Sequence, residues 1–574
     1  MKIALCVVCV LCALHSARAL DRQAFTFTEY DLQIKVMPAT QALEAQGKLT
    51  LRNNTTQAQR NPVLQISSTL EWQAITAGGK AVQYLVADYT SDIDHSGALS
   101  EAVLTLPQPV PPQGTVELEI TYSGTIAQDS TRLTAIGVPA GRAAHSDWDQ
   151  ISESFTAVRG IGYVAWYPVA TEAASMDEGN QVFDSVRAWQ ERESRSRMRI
   201  SLCWSGGGQL AANGQVAGSA GSAVSASPGL SCRSVQYDPL GLNVPTFAIG
   251  PYLALNQPPL AIEYIAGHES YARAWAAAGE KTAPLTTQWF GPRRRPVQIV
   301  ELPDRDMHPF ESGSVFFTSL LNGEEGDIEV VLAHQLAHAS FQSPRLWMDE
   351  GLAHFAQALE REQQEGRKAA LAYMDERLPP LEDAEKDFLS AAPGKTPGSA
   401  PEGQPLISAS DEVFYRTKAM FVWWMLRDMV GDEALQHALR AYHPDQDKEP
   451  SYFQRLLGEQ FHRDLEWFFD DWVYRDRGLP QFRITSVYPR RLIPQDWSVT
   501  VAVENTGGAG AEVPVAVSAA QGEERKRLEV HAREKASVRI PIPATPQQAT
   551  VNDGSVPEFD MSNHTAEIKT ETSQ

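Results

Sequence analysis

Two histidines four residues apart, His334 and His338, stand in the segment Val331-Leu332-Ala333-His334-Gln335-Leu336-Ala337-His338. On a helix, positions i and i+4 share a face, so both imidazoles can reach one cation. A carboxylate follows in Leu346-Trp347-Met348-Asp349-Glu350-Gly351-Leu352-Ala353. Pro344 breaks the chain after the first helix, and the second starts near Leu346. Across so short a connection, the last turn of one helix faces the first turn of the next. Glu350 is therefore expected beside His338, as a third ligand. Two His and one Glu with an open fourth position suit one catalytic Zn2+, whereas structural zinc sites are closed by four side chains. A His-x-x-x-His pair alone is common on helices that bind nothing. The acid on the facing turn is what argues for a metal.

The elements that must position these groups can be read from pattern. The chain has 574 residues, enough for two to four domains at roughly 100–200 residues each. From 20 to about 262, short alternating runs such as Gly47-Lys48-Leu49-Thr50-Leu51 and Val116-Glu117-Leu118-Glu119-Ile120 are punctuated by Gly, Pro and Asn. They predict an N-terminal antiparallel β domain with one buried face. From 263 to 479 the apolar period becomes helical. Tyr271–Gly279, Ile328–Ser340, Leu346–Tyr373, Asp411–Val430 and Asp432–Tyr442 are expected helices. Pro393 to Pro405 reads as a flexible loop inside this domain. From 480 to 574 alternation returns, as in Trp497-Ser498-Val499-Thr500-Val501-Ala502-Val503, and predicts a C-terminal β-sandwich with a disordered polar tail. The fold class expected is α+β, multidomain.

Residues 1–19 read as a signal peptide: Lys2, an apolar stretch from Ile3 to Leu14, and Ala17-Arg18-Ala19 as the cleavage site. That stretch is too short to span a bilayer, and no later run is long enough. The expected location is therefore secreted or periplasmic, after cleavage near Ala19. Cys6, Cys9 and Cys12 leave with the signal. Cys203 and Cys232 remain, and in an oxidising compartment an isolated pair is expected to form a disulfide. The formal charge of -22 repels nucleic acid, which is not an expected partner.

The motifs together resemble the membrane alanyl aminopeptidase family of gluzincins, the aminopeptidase N and leukotriene A4 hydrolase group. That family carries H-E-x-x-H, a Glu in N-E-G-[FL]-A and a Tyr in Y-x-K-G-A. Here the matching stretches are His334-Gln335-Leu336-Ala337-His338, Asp349-Glu350-Gly351-Leu352-Ala353 and Tyr415-Arg416-Thr417-Lys418-Ala419. Asp464-Leu465-Glu466-Trp467-Phe468-Phe469-Asp470-Asp471-Trp472-Val473 and Phe247-Ala248-Ile249-Gly250-Pro251-Tyr252 match further stretches in order. The resemblance covers roughly residues 25 to 480 and implies a thermolysin-like, mostly helical catalytic domain at 263–479. It also implies one zinc ion, a peptide substrate, and a hydrogen bond from Tyr415 to the tetrahedral oxyanion.

Three departures qualify what the resemblance implies. Gln335 replaces the Glu that takes a proton from the attacking water, and an amide has no basic site at neutral pH. Losing that proton shuttle costs about 10²–10⁴-fold in rate. Only 11 residues separate His338 from Glu350, a shorter segment than the family has. Where the family's G-x-M-E-N binds the substrate's free amine, this chain has His308-Pro309-Phe310-Glu311-Ser312, so Glu311 is the candidate amine ligand. His354, one turn after Glu350, is either a partner of the ligands or a packed helix residue. The expectation is an exported, aminopeptidase-like zinc metallopeptidase homologue, with peptide hydrolysis weakened by Gln335. The alternative is a catalytically inactive pseudopeptidase that binds peptides or a protein partner.

Overall fold

A computed structural model describes residues 20–217, 229–293, 296–390, 404–492 and 496–570. The expected signal peptide, nearly all of the 393–405 loop and the end of the polar tail lie outside the described residues. The protein is a multidomain mixed α/β chain. It divides into two compact units between Ala248 and Ile249. Among the described residues, no helix is long and apolar enough to cross a membrane.

The first unit is β-rich. Its largest sheet has eight strands, with β1 (Phe25–Met37) and β2 (Ala42–Asn53) paired antiparallel at the centre. β3 (Thr115–Thr125) continues beyond β2. On the other side β1 lies parallel to β4 (Arg197–Ser205), and β4 pairs antiparallel with β5 (Leu230–Tyr237). In β1, Tyr30, Leu32, Ile34 and Val36 are buried while Asp31 and Gln33 are exposed, the period of two that gives a sheet one buried face. The parallel β1–β4 pair departs from the all-antiparallel expectation. A parallel neighbour needs a long crossover, and the chain between β3 and β4 supplies one that contains α1 (Gln181–Glu193). Cys203 and Cys232 face each other in register across β4 and β5 and are bonded.

The second unit opens with a five-stranded sheet. β6 (Tyr252–Gln257) and β7 (Leu260–Ile265) form an antiparallel pair. β7 runs parallel to β8 (Val297–Glu301), reached through the crossover helix α2 (Glu269–Phe290). β9 (Phe310–Ser312) is the far edge strand and pairs antiparallel with β10 (Val315–Thr318), which lies parallel to β8. Because β6 and β7 belong to this sheet, the division at 248/249 falls upstream of the boundary read at 262. Alternation alone cannot tell which sheet a strand joins.

Helices follow: α3 (Glu325–Ser340), α4 (Leu346–Glu365), α5 (Arg367–Asp375) and α6 (Leu378–Ser390). The single helix expected over 346–373 is broken at Gly366, whose φ of 86° is open to glycine and costly for other residues. A π-helical turn, Val413–Lys418, leads into α7 (Ala419–Val430), then α8 (Asp432–Ala441) and α9 (Tyr452–Gln460). Trp347 of α4 and Trp423 of α7 are fully buried and stack with centroids 4.8 Å apart.

The last strands form two sheets. One contains β11 (Phe482–Arg491), β12 (Trp497–Asn505) and β15 (Lys535–Ile542). The other contains β13 (Ala511–Ala519), β14 (Gly522–Val530), β16 (Pro546–Val551) and a short edge strand, Thr565–Glu567. Val499, Val501 and Val503 share a buried cluster with Val513, Val515 and Val517, and the cluster continues into the helices. The Trp472 indole ties the two regions by donating to the Gly510 carbonyl oxygen at 2.8 Å.

Candidate metal centre

The α3–α4 hairpin does what its sequence demands. α3 ends at Ser340, and five residues that include Pro344 turn the chain before Leu346. The turn is held by its own polar groups. The Asp349 carboxylate accepts the Ser343 N–H at 2.9 Å, and the Ser343 hydroxyl oxygen accepts the Arg345 N–H at 3.0 Å. Asp349, in the first turn of α4, thus fixes where Glu350 begins.

His334 and His338 occupy adjacent turns of α3, with Nε2 atoms 3.2 Å apart. The Glu350 carboxylate lies 3.8 Å from His338 Nε2. A fourth group joins them: Glu311, on edge strand β9, puts one carboxylate oxygen 3.3 Å from His334 Nε2 and 3.9 Å from His338 Nε2. One donor atom from each of Glu311, His334, His338 and Glu350 lies within 4.8 Å of all the others. Gln335 donates its amide N–H to the second Glu311 oxygen. Tyr415 sits in the π-helical turn, 8% exposed, near enough to Glu350 to feel its charge.

Arg416 and Asp349 join the site without having been assigned a role from sequence. Arg416 donates to the other Glu350 oxygen at 3.2 Å and to Glu412 at 2.8 Å. Asp349 lies 3.7 Å from His338 Nδ1. The only signal for either was adjacency to a motif residue. His354 is half-buried, its ring 5.0 Å from that of His334 and edge-on to it.

The electrostatics describe a place that attracts a cation. Burial opposes charge on His338, but Asp349, Glu350 and Glu311 outweigh it and raise its pKa. Burial likewise opposes charge on Glu311, yet His334 and His338, with the Gln335 amide, hold its carboxyl well below the usual range. Burial, together with His334 and Arg416, keeps His354 neutral. Burial and nearby acids push the Tyr415 hydroxyl up to about 12, so it stays a donor at neutral pH.

The donor set fits zinc in kind and spacing. Zinc takes imidazole nitrogen and carboxylate oxygen at about 2.0–2.2 Å, which places neighbouring donors of a tetrahedron about 3.3 Å apart. Four of the six separations, 3.2, 3.3, 3.8 and 3.9 Å, lie at or above that edge, and all six are within 4.8 Å. The hairpin was legible in the sequence, and the resemblance put Glu311 at the site as an amine ligand; that its carboxylate would lie against His334 was not.

No protein-family model and no curated protein matches the chain. Among solved structures, it is similar to a point mutant of an M1 zinc metallopeptidase from Deinococcus radiodurans. The TM-score is 0.49 at 17% identity, covering 81% of this chain and 97% of that one. A structure of the mutant bound to a Tyr-Ser-Ala substrate gives TM-score 0.49 at 16% identity, over 79% and 95%. A further M1 zinc metallopeptidase structure from the same organism gives 0.46 at 17%, over 76% and 90%.

Proposed function

We propose that this chain is an exported zinc metallopeptidase homologue, aminopeptidase-like in its motifs. On this reading it hydrolyses peptides weakly, because Gln335 stands where the general base belongs. One observation carries the reading: the donor atoms of His334, His338 and Glu350, from facing turns of two helices, cluster within reach of a single cation. The motif order read from the sequence supplies the substrate class. The same reading takes 263–479 as a thermolysin-like catalytic region and 480–574 as an appended β-sandwich.

When bound, zinc supplies Lewis acidity to a peptide carbonyl and acidifies water. The protein's own groups do the rest. His334, His338 and Glu350 would hold the ion, and Arg416 orients the Glu350 carboxylate by donating to one of its oxygens. Tyr415, protonated at neutral pH, can donate to a developing oxyanion. Gln335 can orient a water by hydrogen bonding, but it can neither take nor return a proton. The missing proton transfer costs about 10²–10⁴-fold. Glu311 could hold a substrate amine only by letting go of His334 and Gln335. That engagement favours the second reading, a peptide-binding pseudopeptidase.

The test is zinc content and hydrolysis of aminoacyl and peptide substrates, in the wild type and in Gln335→Glu. The expected result is one zinc per chain, slow zinc-dependent turnover, and a gain of about 10²-fold or more in the variant. An inert parent that binds peptides and gains turnover on reversion would support the second reading. The proposal fails if no zinc copurifies and both proteins are inert.

A further inference from the structure

The Glu311 carboxylate does not stand where the motif resemblance leaves it, waiting for an amine. Its Oε1 is 3.3 Å from His334 Nε2 and 3.9 Å from His338 Nε2, and its Oε2 accepts the Gln335 amide N–H. We infer that Glu311 is a fourth ligand of the same metal and that Gln335 is the residue that locks it there. The resting site is then a closed His₂Glu₂ set rather than three ligands and a vacancy. This inference rests on the zinc reading proposed above.

The two unusual residues explain each other. A Glu at position 335 would set a second carboxylate within hydrogen-bonding distance of Glu311. Two carboxylates that close repel unless they share a proton, so Glu311 would be driven off. An amide in the same place offers an N–H instead and turns the repulsion into a hydrogen bond. Gln335 is 3% exposed and the Glu311 side chain 29%, so the bond is shielded on the Gln335 side. Losing the base and gaining the fourth ligand are therefore one event at one side chain.

Charge does not oppose it: Glu311 and Glu350 bring two negative charges to a dication, with Asp349 a third, 3.7 Å from His338 Nδ1. Arg416 beside Glu350 is already balanced by Glu412 at 2.8 Å. Backbone placement is also consistent: β9 is an edge strand whose residue 311 is paired with Phe316, so the carboxylate is delivered from a fixed position rather than from a free loop. A closed four-coordinate site holds its metal more tightly and admits an outside ligand only when Glu311 leaves.

The test uses purified full-length protein with two metal probes. Zinc affinity is measured by competition with a chromophoric chelator. The visible spectrum of the cobalt(II)-loaded protein is recorded with and without acetohydroxamate, in the wild type, Glu311→Gln, Gln335→Glu and His334→Ala. Wild-type cobalt bands are expected to ignore acetohydroxamate. Glu311→Gln and Gln335→Glu are expected to bind zinc at least about 10-fold more weakly and to show hydroxamate-dependent bands. If zinc binding depends on His334 but is unchanged in Glu311→Gln, the fourth-ligand inference is overturned while the zinc reading stands. If no protein shows His334-dependent binding, both fall. Should Glu311→Gln fail to fold, a hydroxamate shift in the wild type is enough to overturn the inference.

Discussion

Gly351 follows the proposed ligand Glu350 directly, and its lack of a side chain sets how closely α4 approaches α7. A β-carbon built at Gly351 would lie 2.6 Å from the Ala419 β-carbon and 3.1 Å from the Trp423 indole nitrogen. Carbon atoms in contact prefer about 3.5–4.0 Å, so the helices would have to separate by about 1 Å. Neither neighbour can rotate away. The Ala419 methyl is rooted on the backbone, and the Trp423 indole donates to the Trp347 carbonyl oxygen at 3.0 Å while stacked on the Trp347 ring. Two effects then oppose each other in Gly351→Ala. Helix propensity favours Ala over Gly by about 1 kcal/mol. Overpacking a core contact costs about 1–3 kcal/mol and more where the backbone must shift. With both neighbours fixed, the upper part of that range applies, and we predict net destabilisation of about 1–2 kcal/mol. Urea unfolding of the wild type, Gly351→Ala, Ala419→Gly and the double variant measures it. Removing the Ala419 methyl should relieve the clash, so the double variant should be more stable than the two single changes predict, with a coupling of about 0.5–3 kcal/mol. A Gly351→Ala protein stabilised by about 1 kcal/mol would refute the reasoning, because only propensity would then be acting.

Two further outcomes can be measured on the same protein. Lys418 is fully buried between Glu385 and Asp476, at 2.5 Å from each, so Lys418→Met leaves two buried carboxylates with no cation. It should cost about 3–5 kcal/mol in urea unfolding, and a loss under about 1 kcal/mol would mean the triad contributes little. In the first unit, burial lowers the pKa of His95, but the hydrogen bond from its Nδ1 to Asp147 at 2.9 Å and the charges of Asp94, Asp147 and Asp149 raise it to about 9. A histidine pKa raised by folding contributes stability that is complete below about 6.5 and is lost as pH rises through about 9. The loss is on the order of 3 kcal/mol between pH 6 and pH 10 in the wild type and should be absent from His95→Gln. Parallel pH profiles of unfolding for the two proteins would count against it.

How much of this was legible in the sequence depends on how far apart the interacting residues lie. The β-rich start, the helices over 328–340 and 411–442, and the strands after 480 all follow from apolar periods of 2 and 3.6, which are properties of short windows. The hairpin that brings Glu350 to His338 was legible too, because 11 intervening residues and one proline leave the chain few ways to turn. Gly366, by contrast, interrupts a pattern that reads as one continuous helix, and a lone glycine in a helical run does not announce that it will take a positive φ.

The residue types thus determined by themselves that this chain could assemble two imidazoles and a carboxylate, and that Gln335 cannot act as a base. Only tertiary structure decided that Glu311, expected to face a substrate amine, would lie against His334, 23 residues on, and that Arg416 would reach back to Glu350. It also set the parallel β1–β4 pair and the close approach of Gly351 to Ala419. The physical reason is common to all four. A local pattern encodes which face of an element is apolar, but which elements share an edge or a packing face is settled by the summed burial and pairing of residues far apart along the chain.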